Sequence, residues 1–380
     1  MDVKDHLKTL CQLPGLSAYE TPVSDYLKTF WQPYVQEFSG DKIGSLWGIR
    51  PGSGPEPRKR ILLSGHMDAI GLMVTQIRDG FLRFTEIGGI DVRVLPGTLV
   101  QVHPTYGAGP TDPIPGVVAS IPPHLQPRNG GSTEAPDLSE QWIDLGLPPE
   151  EVAARVHLGD LVTFAYPPFD LGSDWVVSKS MDNRVAVAVI SYCLHLLSTR
   201  THQWDVIAAA TVQEEEVLGG AFASGFAAYP DLAIAIDVTW ARQPGTENWE
   251  TFKLGAGPTL MWGPNLHPKL HTALMDVAKA NEIPVHKELT PRHAGTDAYA
   301  LQVAREGIPT AGVGIALKNM HTPVETVSIK DIKRAGRLLA EFICTLTDDT
   351  LPKLDLDRPD EPKADNNNNS AANNHNEDED

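Results

Sequence analysis

Four short apolar runs end abruptly in acid or histidine, and this pattern limits the folds open to the chain. ILLSG (61–65) leads into His66 and Asp68, and AAATV (208–212) into Glu214, Glu215 and Glu216. LAIAI (232–236) leads into Asp237, and GVGIAL (312–317) into His321 four residues on. Compact apolar runs of this kind read as buried strands. Between and after them lie helix-like segments, VAVAVISYCLHLL (185–197), GGAFASGFAAY (219–229), PKLHTALMDVAKANE (268–282) and IKDIKRAGRLLAEFICTL (329–346). The alternation predicts an α/β fold with a mixed, mostly parallel sheet sandwiched by helices. In open sheets of this class the ligand site lies outside the carboxyl ends of the strands. The acids and histidines at the four run ends therefore converge on one crevice.

The texture differs between Ala69 and Phe169, where GLMVTQI, FLRFTEI, TLVQVH, GVVASI and DLVTFAY are separated by Gly and Pro turns. This predicts a small β unit over 69–169, inserted into a larger domain formed by 1–68 and 170–350. Helical spacing is expected at Val3, Leu7 and Leu10, and again at Val23, Tyr26, Leu27 and Phe30, with LPGLS as the break. From about 351 the chain turns acidic and Asn-rich, without apolar periodicity, and disorder is expected to Asp380.

A net charge of −18 argues against nucleic acid or an anionic membrane as partner. No run reaches the roughly 18 apolar residues of a membrane span, and the start lacks a secretory pattern. The three cysteines, Cys11, Cys193 and Cys344, are widely spaced in apolar surroundings and read as reduced core residues. The expected location is cytoplasmic.

Two histidines and several carboxylates meeting at one point suit divalent metals with mixed nitrogen and oxygen ligands, Zn²⁺ or its neighbours. The donors are too many for one tetrahedral ion. Two ions sharing a bridging carboxylate would use them and neutralise the acids; one glutamate then binds metal, one stays free as a base, and one points elsewhere. Asp182, in SKSMDNR, stands at the start of the helix beginning near Arg184 and joins the set. Each element has a plainer reading: a polar pair for His66 and Asp68, a helix cap for Asp182 in competition with Ser180, a solvated turn for the glutamates. Coincidence at one end of one sheet favours the metal site. His103, His124, His267, His271, His286 and His293 are read as ordinary polar residues.

The ordered set GHMDAIGLMV, GGIDVRVLPGTLVQV, GVVASIPPHL, HLGDLVTF, SKSMDNR, ATVQEEEVLGGA, AIAIDVT and GTDAYALQVAREGIPT…MHTPVETV resembles the TET-type metalloaminopeptidase family, over residues 5 to 345. The family includes glutamyl, leucyl and lysyl aminopeptidases and proteins once labelled endoglucanase M. The resemblance implies a phosphorylase/hydrolase-like catalytic domain interrupted by a PDZ-like β-domain used in dimerisation. It also implies short peptide substrates, two divalent ions per subunit with Zn²⁺ or Co²⁺ foremost, and a homo-oligomer, a dimer or a tetrahedral dodecamer. Carried onto this chain, His66 and Asp237 bind one metal, Glu215 and His321 the other, and Asp182 bridges them. Glu214 is the general base and Asp68 orients His66.

The chain departs from the family pattern at Glu216 and Val217, at Lys318-Asn319-Met320, and at His293-Ala294 before GTDA. These positions spare the ligands and fall near the substrate walls. The expected chemistry is hydrolysis by a metal-activated water whose proton passes through Glu214. A carboxypeptidase or deacylase on the same scaffold needs a cation to clamp a carboxylate, with Arg184, Arg242 and Arg292 as candidates. A glycosidase fits less well, because neighbours such as Glu214 and Glu215 point to different sides. A non-catalytic assembly module is the remaining alternative.

Overall fold

The computed structural model describes residues 1–104, 112–122, 137–246 and 249–356. His124 and most of the acidic tail lie outside them.

The centre of an eleven-stranded sheet is built from the four runs. Asp205–Thr211 pairs with Arg60–His66, Arg60–His66 with Leu232–Trp240, and Leu232–Trp240 with Thr310–Lys318, all parallel. Their apolar residues alternate between two helical layers, which explains why the runs read as continuously hydrophobic. Ile61, Leu63, Val206, Ala208, Ile234, Ile236, Val313 and Ile315 join the main core with helices Val3–Gln12, Met181–Leu197 and Ile329–Thr345. Leu62, Ile207, Ala209, Ala233 and Ala235 pack on the other side against Ala221, Ala298 and Leu301, from helices Gly219–Ala227 and Asp297–Gln302. At Gly65 a Cβ would lie 2.6 Å from the Cβ of Ala186, so glycine lets the helix after Asp182 approach the strand that ends in His66.

The sheet is mixed, but it is not mostly parallel as the alternation suggested. Its flanking strands Glu37–Gly40, Leu46–Arg50, Glu325–Ser328, Trp175–Ser178 and Phe169–Leu171 all pair antiparallel. Thr259–Trp262 pairs antiparallel with Thr310–Lys318 and parallel with His286–Leu289. These are strands of three to five residues, too short to leave a readable period.

Between Gly71 and Phe164 the chain forms a separate closed barrel in the order Gly71–Arg78, Phe81–Ile87, Gln141–Asp144, Ile114–Ser120, Leu99–His103, Leu161–Phe164. Leu72, Val74, Leu82, Val100, Val102, Val118, Ile143 and Val162 fill it. Gln141–Asp144 and the helix Pro149–Arg155, whose Val152 enters the barrel core, are additions to the five strands read from sequence. At the other end, Thr350–Leu354 is helical where disorder was expected from 351, because Leu354 is buried in the main core. All three cysteines are free; Cys11 and Cys193 are buried. Among the described residues no helix is long and apolar enough to cross a membrane.

Candidate metal centre

Parallel pairing brings the carboxyl ends of the central strands together, and Thr211 stands directly beside His66. Beyond Thr211 the chain turns through Gln213 (φ 57°) into the single helical turn Glu214–Val217, then leaves through Leu218 (φ 56°). Left-handed residues on both sides hold the three glutamates in a tight turn. Its first backbone N–H groups donate to Asp68, from Glu214 at 3.1 Å and from Glu215 at 3.2 Å. Asp68 is fully buried, accepts from Ser17 Oγ at 2.7 Å, and lies 3.2 Å from Nδ1 of His66.

Asp182 is joined to Asn183 by a cis peptide bond, and both residues are non-helical at the head of Met181–Leu197. Neither Asp182 nor Ser180 caps this helix. Asn183 does, its Oδ1 accepting from the N–H of Ala186 at 3.1 Å while its Nδ2 donates to Asp237 Oδ1 at 2.8 Å. Freed from capping, the Asp182 carboxylate points two ways: Oδ1 lies 3.3 Å from Nε2 of His66, and Oδ2 lies 3.4 Å from Nε2 of His321. His66 Nε2 is also 3.5 Å from Glu214 and 3.9 Å from Asp237, and His321 Nε2 is 3.6 Å from Glu215. The third glutamate turns away, Glu216 accepting from the N–H of Gly88 at 2.7 Å. The like charges of the glutamate run are thus dispersed in three directions.

The electrostatics are those of a cation site. Burial pushes the Glu214 carboxyl up to about 8; His66 opposes this, and the charges of Asp297, Asp182 and Asp68 add to it. Burial likewise holds Glu215 and Asp237 well above the carboxylate range, with Asp182 close to both. Asp182 goes the other way: burial opposes its charge, but His321 and His66 hold it down at about 2. Divalent cations fit this donor set. One nitrogen of His66 and carboxylate oxygens gather in two groups, His66 with Glu214 and Asp237, and His66 with Asp182 and Glu215, each with its ligand atoms within 4.8 Å of one another. His321 is in neither group, although its Nε2 lies 3.4 Å from Asp182 and 3.6 Å from Glu215. Oε1 of Glu215 is buried with no hydrogen-bond partner among the described residues, as suits an oxygen reserved for a metal.

Sequence reasoning passed over the residue that organises the far side of the site. Glu325 is buried and accepts three backbone N–H groups, from Met181 at 2.7 Å, Asp182 at 3.2 Å and His321 at 2.8 Å. Glu325 opens the strand Glu325–Ser328, which is buried throughout. Asp297, in GTDA, is buried and accepts from Ser64 Oγ and Thr211 Oγ1, both at 2.6 Å, which fixes the strand ends behind His66.

A cleft of about 520 Å³ opens over these histidines and carboxylates, with Leu218, Val238, His293, Ala294, Tyr299 and Met320 in its walls. His293 and Ala294 thus line the cleft, near the substrate walls where the sequence placed them. Of the three arginines considered as clamps, Arg184 is buried and donates to the carbonyls of Leu10 and Gly15. Arg242 and Arg292 are exposed and do not line the cleft.

The M42 glutamyl aminopeptidase family model matches residues 44–338. The lysyl aminopeptidase of Pyrococcus furiosus is 34% identical over 344 residues, covering 88% of this chain and 96% of that protein. A TET aminopeptidase from a marine-sediment thaumarchaeon superposes with a TM-score of 0.86 at 29% identity, covering 93% of this chain and 100% of the other. The Pyrococcus horikoshii TET1 peptidase, which can assemble into a tetrahedron or a large octahedral shell, gives 0.78 at 29% identity over 91% of this chain and 100% of its own. Motifs, fold and relatives agree: this chain belongs to the M42 glutamyl aminopeptidase family and is a peptide hydrolase.

Proposed function

We propose that the protein is a two-metal aminopeptidase that removes the first residue from short peptides. The observation that carries this reading is the position of Asp182, one oxygen towards His66 and the other towards His321. His66 and Asp237 would hold one divalent ion and Glu215 and His321 a second, with an oxygen of Asp182 available to each. With Asp182 counted in both, each set would have three protein ligands and leave Glu214 available, although Glu214 gathers with His66 and Asp237 closely enough to ligate. Zn²⁺ or Co²⁺ suits the donors, and when bound the ions supply Lewis acidity towards a carbonyl and a water of lowered pKa. Glu214 takes a proton at its carboxylate and returns it to the leaving amine. Asp68 fixes the ring of His66 and the N-terminal end of the glutamate turn, keeping Glu214 over the cleft. The acid-rich floor favours the free α-ammonium of a peptide, which restricts cleavage to the first residue.

A carboxypeptidase or deacylase would need a cation for the substrate carboxylate, and among the described residues no Lys or Arg lines the cleft. The closed barrel is proposed as the PDZ-like dimerisation unit inserted into a catalytic domain of residues 1–68 and 170–350. Similarity to the shell-forming Pyrococcus horikoshii TET1 peptidase, and to the dodecameric PhTET1-12s structure, supports a homo-oligomer, up to a dodecamer. Glu214→Gln tests the base assignment: metal content is expected to hold while turnover falls ~100-fold or more. Full activity in this variant would remove Glu214 from the role.

A further inference from the structure

The identity of the side chain that the enzyme accepts is written in the part of the cleft that does not touch metal. Outside the metal-binding groups and Glu214, the wall comprises Leu218, Val238, Ala294, Tyr299 and Met320, with Gly295 and the polar His293 and Thr296. No Lys, Arg, Asp or Glu contributes to it among the described residues. Lys318, two residues before Met320, holds its Nζ 5.0 Å above the Trp175 ring.

The wall is also pre-formed. Leu218 and Ala294 pack with the second core cluster, and Met320 packs against the main one. A Cβ built on Gly295 would meet nothing within 4 Å, so the space in front of it is open, and its backbone is outside the left-handed region. The wall thus offers apolar contact and room but no counter-charge.

We propose that this cleft selects an uncharged, apolar first residue of medium to large size, of the leucine, methionine or phenylalanine kind, and discriminates against acidic and basic ones. The proposal rests on the aminopeptidase reading. An apolar side chain gains by leaving water here, whereas a carboxylate or ammonium would lose hydration without finding a partner. The carboxylates lie at the floor, where the α-ammonium sits, and the wall facing the first side chain offers a lysine no carboxylate of its own.

Tyr299 and Gly295 are the positions at which to test it. Tyr299 is 38% exposed on its helix, so a charged residue there does not disturb the core. The assay pairs kcat/KM on peptides differing only in the first residue with calorimetric binding of free leucine, lysine and glutamate to the metal-loaded oligomer. Leucine, methionine and phenylalanine should exceed lysine and glutamate at least about tenfold in kcat/KM, and leucine should bind most tightly. Tyr299→Arg should shift the ratio towards glutamate and Tyr299→Glu towards lysine, opposite movements that a general structural defect would not produce. Gly295→Val should depress kcat/KM on phenylalanine peptides at least about tenfold more than on alanine peptides. Preferred cleavage of lysyl or glutamyl peptides by the unaltered protein would overturn the proposal and leave the aminopeptidase reading standing. Selective leucine binding without cleavage of any peptide would sustain the pocket and sink that reading. Neither binding nor cleavage would end both.

Discussion

Glu325 touches no predicted ligand side chain, yet its removal should disable the site. Its carboxylate is buried and is the acceptor for three backbone donors that belong to the peptide segments carrying Asp182 and His321. A buried N–H left without an acceptor costs about 1–3 kcal/mol. Three of them, partly relieved by relaxation and by removal of a buried acid, place Glu325→Ala about 3 kcal/mol below the parent in stability. Loss of such a supporting contact lowers metal affinity by about 10–100-fold. Glu325→Gln is more discriminating. Its amide carries one acceptor oxygen, which can serve either Met181 and Asp182 or His321, while its NH₂ faces an N–H on the other side. Competition titration with a chromophoric chelator, beside thermal unfolding of the metal-free protein, separates the two effects. Affinity within about twofold of the parent in Glu325→Ala would refute the idea that this carboxylate holds the two halves of the site together.

Two further outcomes follow from particular contacts. Glu216 ties the glutamate turn to Gly88, and at the adjacent Gly89 a Cβ would sit 3.3 Å from Nδ1 of His321. Glu216→Val should therefore weaken metal binding by less than about tenfold, the scale of one exposed hydrogen bond. Glu216→Gln, which keeps an acceptor, should restore it, and equal affinities in both variants would contradict the tether. His6 is stacked 3.7 Å from Phe30 and bonded to Ser191, and burial pushes its pKa down to about 3. The unfolded chain protonates it near 6.5, so its contribution is complete above that pH and is lost as pH falls towards 3. The loss reaches about 2 kcal/mol at pH 5, from ~1.36 kcal/mol per pH unit. Denaturant unfolding between pH 4 and 6 should show a shallower pH slope for His6→Gln than for the parent; parallel slopes would contradict the assignment.

The legible part of this molecule is the part with strong, redundant signals. The central strands are buried on both faces, so they appear as unbroken apolar runs, and a run that stops at His66, Glu214 or Asp237 marks both an element end and a cluster of donors. His321 was reachable because it follows the same kind of strand. The antiparallel flanks were not legible, since Glu37–Gly40 and Phe169–Leu171 are short and exposed. Nor was the cap at Asn183, because Ser180 and Asp182 are equally good capping types and only the local backbone decides between them. Glu325 and Asp297 escaped for a related reason: their partners are backbone and hydroxyl groups distant in sequence, and no spacing rule announces them.

The most direct test of the central claim is release of the first residue from a peptide series by metal-loaded protein, each peptide with a free or an acetylated N-terminus, with and without chelator. The account predicts release from free peptides alone, abolished by chelation and restored by Zn²⁺ or Co²⁺. Intact free peptides in the presence of stoichiometric bound metal, or equal cleavage of acetylated ones, would contradict it.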